Sequence, residues 1–184
     1  MSRPPRPTKE DLAAAYGKTI SDVIAPCLDV LFCGINPSLY SGAVGHHFAR
    51  PGNRFWPALH LGGFTDRLIA PEEERILLGY GLGVTNLVAR STATADELTA
   101  GELRLGADAL EAKLARYRPA LVAFLGIGAY RAGFGHKRAQ VGPQPHSLSG
   151  GRVWLLPNPS GLNAHYQLPD LAREFAQLRG ALRT

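Results

Sequence analysis

The sequence predicts an α/β fold, a three-layer α/β/α sandwich around a short, mainly four-stranded parallel sheet. Four short runs, at residues 30–33, 83–88, 119–125 and 153–156, read as strands. The first, third and fourth are almost wholly apolar, as parallel strands covered on both faces are. Helical stretches separate the runs and supply the crossovers that parallel neighbours need. The first and last runs also end alike, in Asn-Pro and small residues 122 positions apart (158 − 36), as strands reaching one rim would. At 184 residues, 45% apolar and 19% charged, the chain has the size and composition of one ordinary domain, expected over 21–184.

In chain order, the proline- and arginine-rich residues 1–8 read as a disordered basic tail. With a short helix they form the N-terminal segment 1–20. Thr8 or Thr19 can cap helical stretches over 9–16 and 21–24. The first strand empties into Gly34-Ile35-Asn36-Pro37-Ser38, where Asn36 is the first polar side chain past the strand. Pro37 biases Asn36 toward an extended backbone, which would hold the amide at the sheet edge where open α/β sheets bind ligands. An ordinary Asn-Pro turn is the plainer alternative. Residues 38–53 read as a long loop in which Phe48 is either an anchor to the core or a stacking platform. Asn53 caps a helix over 54–60, with Pro57 in its first turn and Gly62-Gly63 closing it.

Pro71-Glu72-Glu73-Glu74 opens a helix to Tyr80 whose acids suit the positive end of the dipole and read as a solvated face. After the second strand, loop 89–97 carries Asp96 and Glu97. Either could bring a carboxylate to the pocket or cap the amphipathic helix 100–117, whose Leu110, Leu114 and Tyr117 form a core stripe. The third strand runs into Gly126-Ile127-Gly128, but Arg131 stands at the third glycine position of a dinucleotide fingerprint. No ribose-binding acid follows before Asp170, so that reading fails. Residues 133–151 read as a basic, glycine-rich surface loop, and 169–182 as the closing helix.

Composition narrows the function. No run approaches the roughly 18 apolar residues of a membrane span, and the charged start lacks an apolar signal region, so a cytoplasmic protein is expected. The two cysteines read as reduced and structural, with Cys33 in the first strand. No Asp or Glu occurs from Val30 to Thr65 or from Tyr130 to Pro169, and these windows hold all six histidines and both Asn-Pro motifs. With a net charge of +5, this points to an anionic ligand, nucleic acid first. The windows contain neither a carboxylate pair nor a phosphate loop, which argues against a nucleotide hydrolase.

Taken together, Gly34-Ile35-Asn36-Pro37, Phe48-Ala49-Arg50-Pro51-Gly52-Asn53-Arg54-Phe55-Trp56 and Asn158-Pro159-Ser160-Gly161-Leu162-Asn163 resemble the mismatch-specific uracil/thymine-DNA glycosylases of the uracil-DNA glycosylase superfamily. The resemblance runs from about Ile24 to the C-terminal helix. It implies a cofactor- and metal-free, monomeric enzyme of base excision repair that flips uracil opposite guanine out of duplex DNA and hydrolyses its N-glycosidic bond. On that resemblance Asn36 orients the water, with Asp96 as a possible auxiliary carboxylate. Gly34, Ile35, Ser38, Phe48 and Asn158 bind the base, and Pro159, Ser160, Gly161, Leu162 and Asn163 contact the duplex, with Leu162 as the wedge. Ser38, His46-His47 and Ala164 depart from relatives and bear on base selectivity. Ser38 either crowds a thymine methyl or turns its hydroxyl to the loop backbone. A binding module for damaged or single-stranded DNA is the competing reading.

Overall fold

The apolar run after Asp29 forms strand β1 (Val30–Gly34), buried along its whole length inside a five-stranded sheet. The computed structural model describes residues 5–183. β1 lies parallel between β2 (Leu82–Asn86) and β3 (Leu121–Leu125), and β3 in turn lies parallel to β5 (Gly151–Leu156). The four expected parallel strands are therefore present. Beyond them, β4 (Gly142–Leu148) pairs antiparallel with β5, giving the order β2-β1-β3-β5-β4.

Strand periodicity builds the layers. Phe32, Ala123 and Trp154 face one core together with Phe55 and Phe175, while Leu31, Cys33, Phe124 and Leu155 face the other with Leu103, Leu110 and Leu114. The first core is covered by α3 (Phe55–Leu61) and α6 (Leu168–Ala181), the second by α4 (Ala100–Tyr117) and α5 (Ile127–Phe134). Among the described residues, no helix is long and apolar enough to cross a membrane.

Several expectations are corrected. Residues 133–151 are not all surface loop, because β4 runs through them. Its Pro143 and Pro145 and its alternately exposed residues conceal a strand, but an edge strand tolerates proline where a central one cannot. Residues 21–24 are extended, not helical: Val23 exchanges backbone hydrogen bonds with Val84 (2.9 and 2.8 Å), covering the free edge of β2. The loop 38–53 begins with a short helix, α2 (Leu39–Val44), which ends at Gly45 with φ 79°. The helix from Pro71 to Tyr80 is of the 3-10 type, and Glu74 is buried there instead of solvated. Part of the expected tail, residues 1–4, lies outside the described residues, whereas Thr8 is an ordered cap of α1 (Lys9–Ala14), closing a capping box with Asp11. Both cysteines are free thiols, but only Cys33 is buried; Cys27 is exposed.

Candidate active site

The C-terminal ends of β1, β2, β3 and β5 open on a cavity of about 430 Å³ lined by Asn36, Phe48, Asn86, Leu125 and Asn158 among others. That volume suits a small planar group and its surroundings. Asn36 and Asn158 share the rim as expected, although β3 separates their strands.

Asn36 is held by its amide nitrogen. Nδ2 donates to the Arg90 carbonyl (3.0 Å) and to Thr92 Oγ1 (2.8 Å), and a backbone carbonyl can only accept, so the amide orientation is determined. Thr92 donates onward to the Thr94 carbonyl at 2.7 Å. Arg90 is fixed from behind, its Nε donating to Glu102 Oε1 at 2.6 Å, and that guanidinium draws the Glu102 carboxyl down to about 2. Both amide hydrogens are thus used inside the protein, leaving Oδ1 as the polar side-chain atom of this cavity-lining residue with no partner among the described residues.

Phe48 is anchored to the core, as one of its two expected roles requires, and it also borders the cavity. One face stacks on Phe55, centroids 4.2 Å apart, and the ring also lines the cavity. Its backbone sits at φ 52°, a costly conformation for a bulky residue. The flanking contacts enforce it: the buried Glu74 carboxylate accepts the His47 N–H (2.8 Å) and binds His46 Nδ1 (3.1 Å), while Trp56 Nε1 donates to the His47 carbonyl (3.1 Å). Burial pushes His47 below its ordinary 6.5, keeping the ring neutral. Nε2–H then donates to the Ser21 carbonyl (3.0 Å) and Nδ1 accepts from Asn86 Nδ2 (3.3 Å). This turns Asn86 Oδ1 toward Gly34, where an added Cβ would come within 2.7 Å of it. The closeness explains glycine at position 34. Ile35 packs beside Gly126, at φ 145°, under the same floor.

Asn158 Oδ1 accepts the Ser160 N–H at 3.0 Å, and its Nδ2 has no partner among the described residues, so it can donate into the cavity. Beyond it, Pro159 is buried, while Gly161 and Leu162 project outward, with Leu162 72% exposed. Leu162 N–H bonds Ser160 Oγ (3.2 Å), and Asn163 Nδ2 returns to the Asn158 carbonyl (2.9 Å). Gly161 packs so closely on Gly52 that a Cβ would lie 2.7 Å from its carbonyl oxygen.

Ser38 lines the cavity, but its hydroxyl accepts the Ser41 N–H (3.2 Å) as the cap of α2, which is the backbone-directed alternative. Asp96 stands exposed at the rim on the 3-10 turn Ala95–Glu97. Neither acid caps α4, because Thr99 and Glu102 do, while Glu97 closes its own turn by accepting the Thr94 N–H at 2.9 Å. The six histidines do not form one surface. His47 is buried, His46 binds Glu74, and His60 faces the Thr65 carbonyl; His136 and His146 stack 4.0 Å apart beside Tyr130 near β4, and His165 is exposed. Three contributors escaped the sequence reading: Asn86, Thr92 and the Arg90 carbonyl. Only Asn86, the polar residue ending an apolar strand, carried a signal like that of Asn36 and Asn158.

The Uracil DNA glycosylase superfamily model matches residues 21–183. The fold is similar to a solution NMR structure from Methanosarcina acetivorans, a protein provisionally named a uracil DNA glycosylase. The TM-score is 0.59 and the identity 18%, over 91% of this chain and 99% of that one.

Proposed function

The chain belongs to the uracil DNA glycosylase superfamily, whose members are hydrolytic DNA glycosylases, and from that premise we propose that it is a monofunctional, mismatch-directed uracil-DNA glycosylase of base excision repair. It acts as a cytoplasmic monomer, with one glycosylase domain over 21–184, on uracil or related lesions opposite guanine in duplex DNA. One observation carries the reading: Asn36 spends both amide hydrogens on Arg90 and Thr92, leaving Oδ1 free at the cavity that Phe48 walls.

A carboxamide is too weak a base to take a proton, so Asn36 acts by position, accepting a hydrogen bond from a water aimed at the sugar C1′. The C1′–N1 bond breaks, its electron pair leaves with the base, the water oxygen bonds C1′, and the water's proton passes to solvent. Asn158 Nδ2 is the donor that meets charge building on the departing base, and the cavity lining carries an acid only at the exposed rim, at Asp96. Phe48 stacks on the flipped ring, Asn86 Oδ1 accepts its imide N–H, and Gly34 and Ile35 close the floor. Leu162 fills the gap left in the base stack, supported by Pro159, Ser160, Gly161 and Asn163. Asp96, exposed at the rim, is a secondary contributor at most.

The test is a duplex with one G·U pair, incubated with the protein and treated with alkali. Strand breakage at the uracil supports the proposal. Tight binding without breakage at high enzyme excess overturns it in favour of a binding module.

A further inference from the structure

Arg54 has no part in the reaction as described above, yet it sits at the centre of the wedge turn. Its backbone N–H donates to the Pro159 carbonyl at 2.9 Å. Its guanidinium donates to the carbonyls of Asn163 (3.0 Å) and Tyr166 (2.9 Å) and, at longer range, of Gly161 (3.3 Å) and Ser160 (3.5 Å). One side chain therefore gathers four carbonyls of a single turn. Nη1 shares its two hydrogens among the Ser160, Asn163 and Tyr166 carbonyls while Nη2 reaches Gly161, and this use of two nitrogens fixed in one plane is not available to the single ammonium nitrogen of lysine. Carbonyls drawn inward around Arg54 leave the opposite side of the turn facing out, and there Leu162 is exposed.

The neighbouring residue holds the other half of the site. Phe55 has its N–H capped by Asn53 Oδ1 (2.9 Å) and carries the Phe48 ring. The dipeptide Arg54-Phe55 thus ties the wedge turn to the base platform at the start of one helix.

We propose that Arg54 is a positioning residue for base extrusion. It holds the turn 160–166 in the shape that projects Leu162, in register with the Phe48 platform that receives the base. The inference rests on the glycosylase reading, and it requires that Arg54 matter for duplex DNA and hardly at all for an unpaired uracil.

The test measures single-turnover uracil excision from a G·U duplex and from the single strand, for Arg54→Lys and Arg54→Gln, each alone and combined with Leu162→Ala. Hydrogen exchange at the Leu162 and Asn163 amides is followed in the DNA-free proteins. Losing the fork should slow duplex excision roughly ten- to hundredfold while single-strand excision stays within about threefold, because the hydrogen bonds of the charged donor are lost in every case but the wedge they hold is used only on the duplex. The two amides should exchange faster, and the duplex defect should vanish in the Leu162→Ala background, where there is no wedge left to position. Equal losses on both substrates, or losses that simply add to those of Leu162→Ala, overturn the inference. Unchanged exchange overturns the hold of Arg54 on the turn while leaving the glycosylase reading intact. A wild-type protein that excises uracil from neither substrate overturns that reading, and the extrusion role falls with it.

Discussion

Replacing Asn36 by aspartate exchanges an NH₂ for an oxygen, and the surroundings make the outcome calculable. In the native protein Nδ2 donates to the Arg90 carbonyl at 3.0 Å and to Thr92 Oγ1 at 2.8 Å. A carboxylate oxygen in that place faces the carbonyl as a second acceptor. Thr92 cannot turn its proton to help without giving up the Thr94 carbonyl at 2.7 Å, and Arg90 is tied to Glu102 at 2.6 Å. Each buried polar group left unpaired costs about 1–3 kcal/mol, so the pair of losses amounts to roughly 2–6 kcal/mol if the carboxylate keeps its charge and place. Two escapes exist: rotation out of the native position, or protonation so that the acid donates to Arg90, which raises its pKa. Rotation removes the fixed acceptor that holds the water; the neutral acid keeps an acceptor oxygen but has one hydrogen where the amide has two, so the Thr92 bond is lost and the acceptor is held less firmly. Asn36→Asp should therefore excise uracil from a G·U duplex at least about tenfold more slowly than wild type near neutral pH, although a carboxylate is the stronger base. Single-turnover rates from pH 6 to 9, alongside melting temperatures, provide the assay. A variant as fast as wild type at pH 7 would refute the argument that the Arg90 and Thr92 bonds set the function of Asn36.

Three other expectations test separate parts of the site. In Gly34→Ala the new Cβ would lie 2.7 Å from Asn86 Oδ1 and 3.1 Å from Phe48 Cζ, so both walls must move; overpacking of about 1–3 kcal/mol and an at least tenfold loss of uracil excision are expected, and an unchanged rate would exclude these residues as base contacts. Ser38→Ala should lower stability by about 1 kcal/mol through loss of the α2 cap and leave the uracil-to-thymine ratio alone, whereas a gain on thymine would show that the side chain bounds the pocket. His47 is held neutral by burial, so its folded pKa lies below the ordinary 6.5: it costs no stability above that value and progressively more as pH falls below it. The melting temperature of the wild type should consequently drop on acidification from pH 7 to 5 more steeply than that of His47→Gln, and parallel slopes would rule out His47 as the source.

How much of this was legible depended on the kind of signal each residue gives. The strands ending at Gly34, Leu125 and Leu156 were readable because burial on both faces leaves an apolar run. β4 was not, since an edge strand can take Pro143 and Pro145 and expose alternate residues. Asn36, Phe48 and Asn158 stood out through the Asn-Pro grammar and the resemblance. What binds Asn36 was invisible, because a backbone carbonyl such as that of Arg90 has no residue signature and Thr92 is 56 positions away. Glu74 was misread for a related reason. Its place in an acidic first turn suits solvent, but the His46-His47 segment folds over it, and the His47 backbone N–H and the His46 ring nitrogen supply the partners that allow its burial.

The central claim is that the carboxamide of Asn36 catalyses by placing a water and contributes little to holding DNA. Its most direct test is Asn36→Ala, compared with wild type for single-turnover uracil excision from a G·U duplex and for affinity toward the same duplex. The expected result is near-native affinity with excision reduced by orders of magnitude, as when a positioning contact is lost. Wild-type excision by the variant, or a loss of rate fully matched by a loss of affinity, would contradict the account.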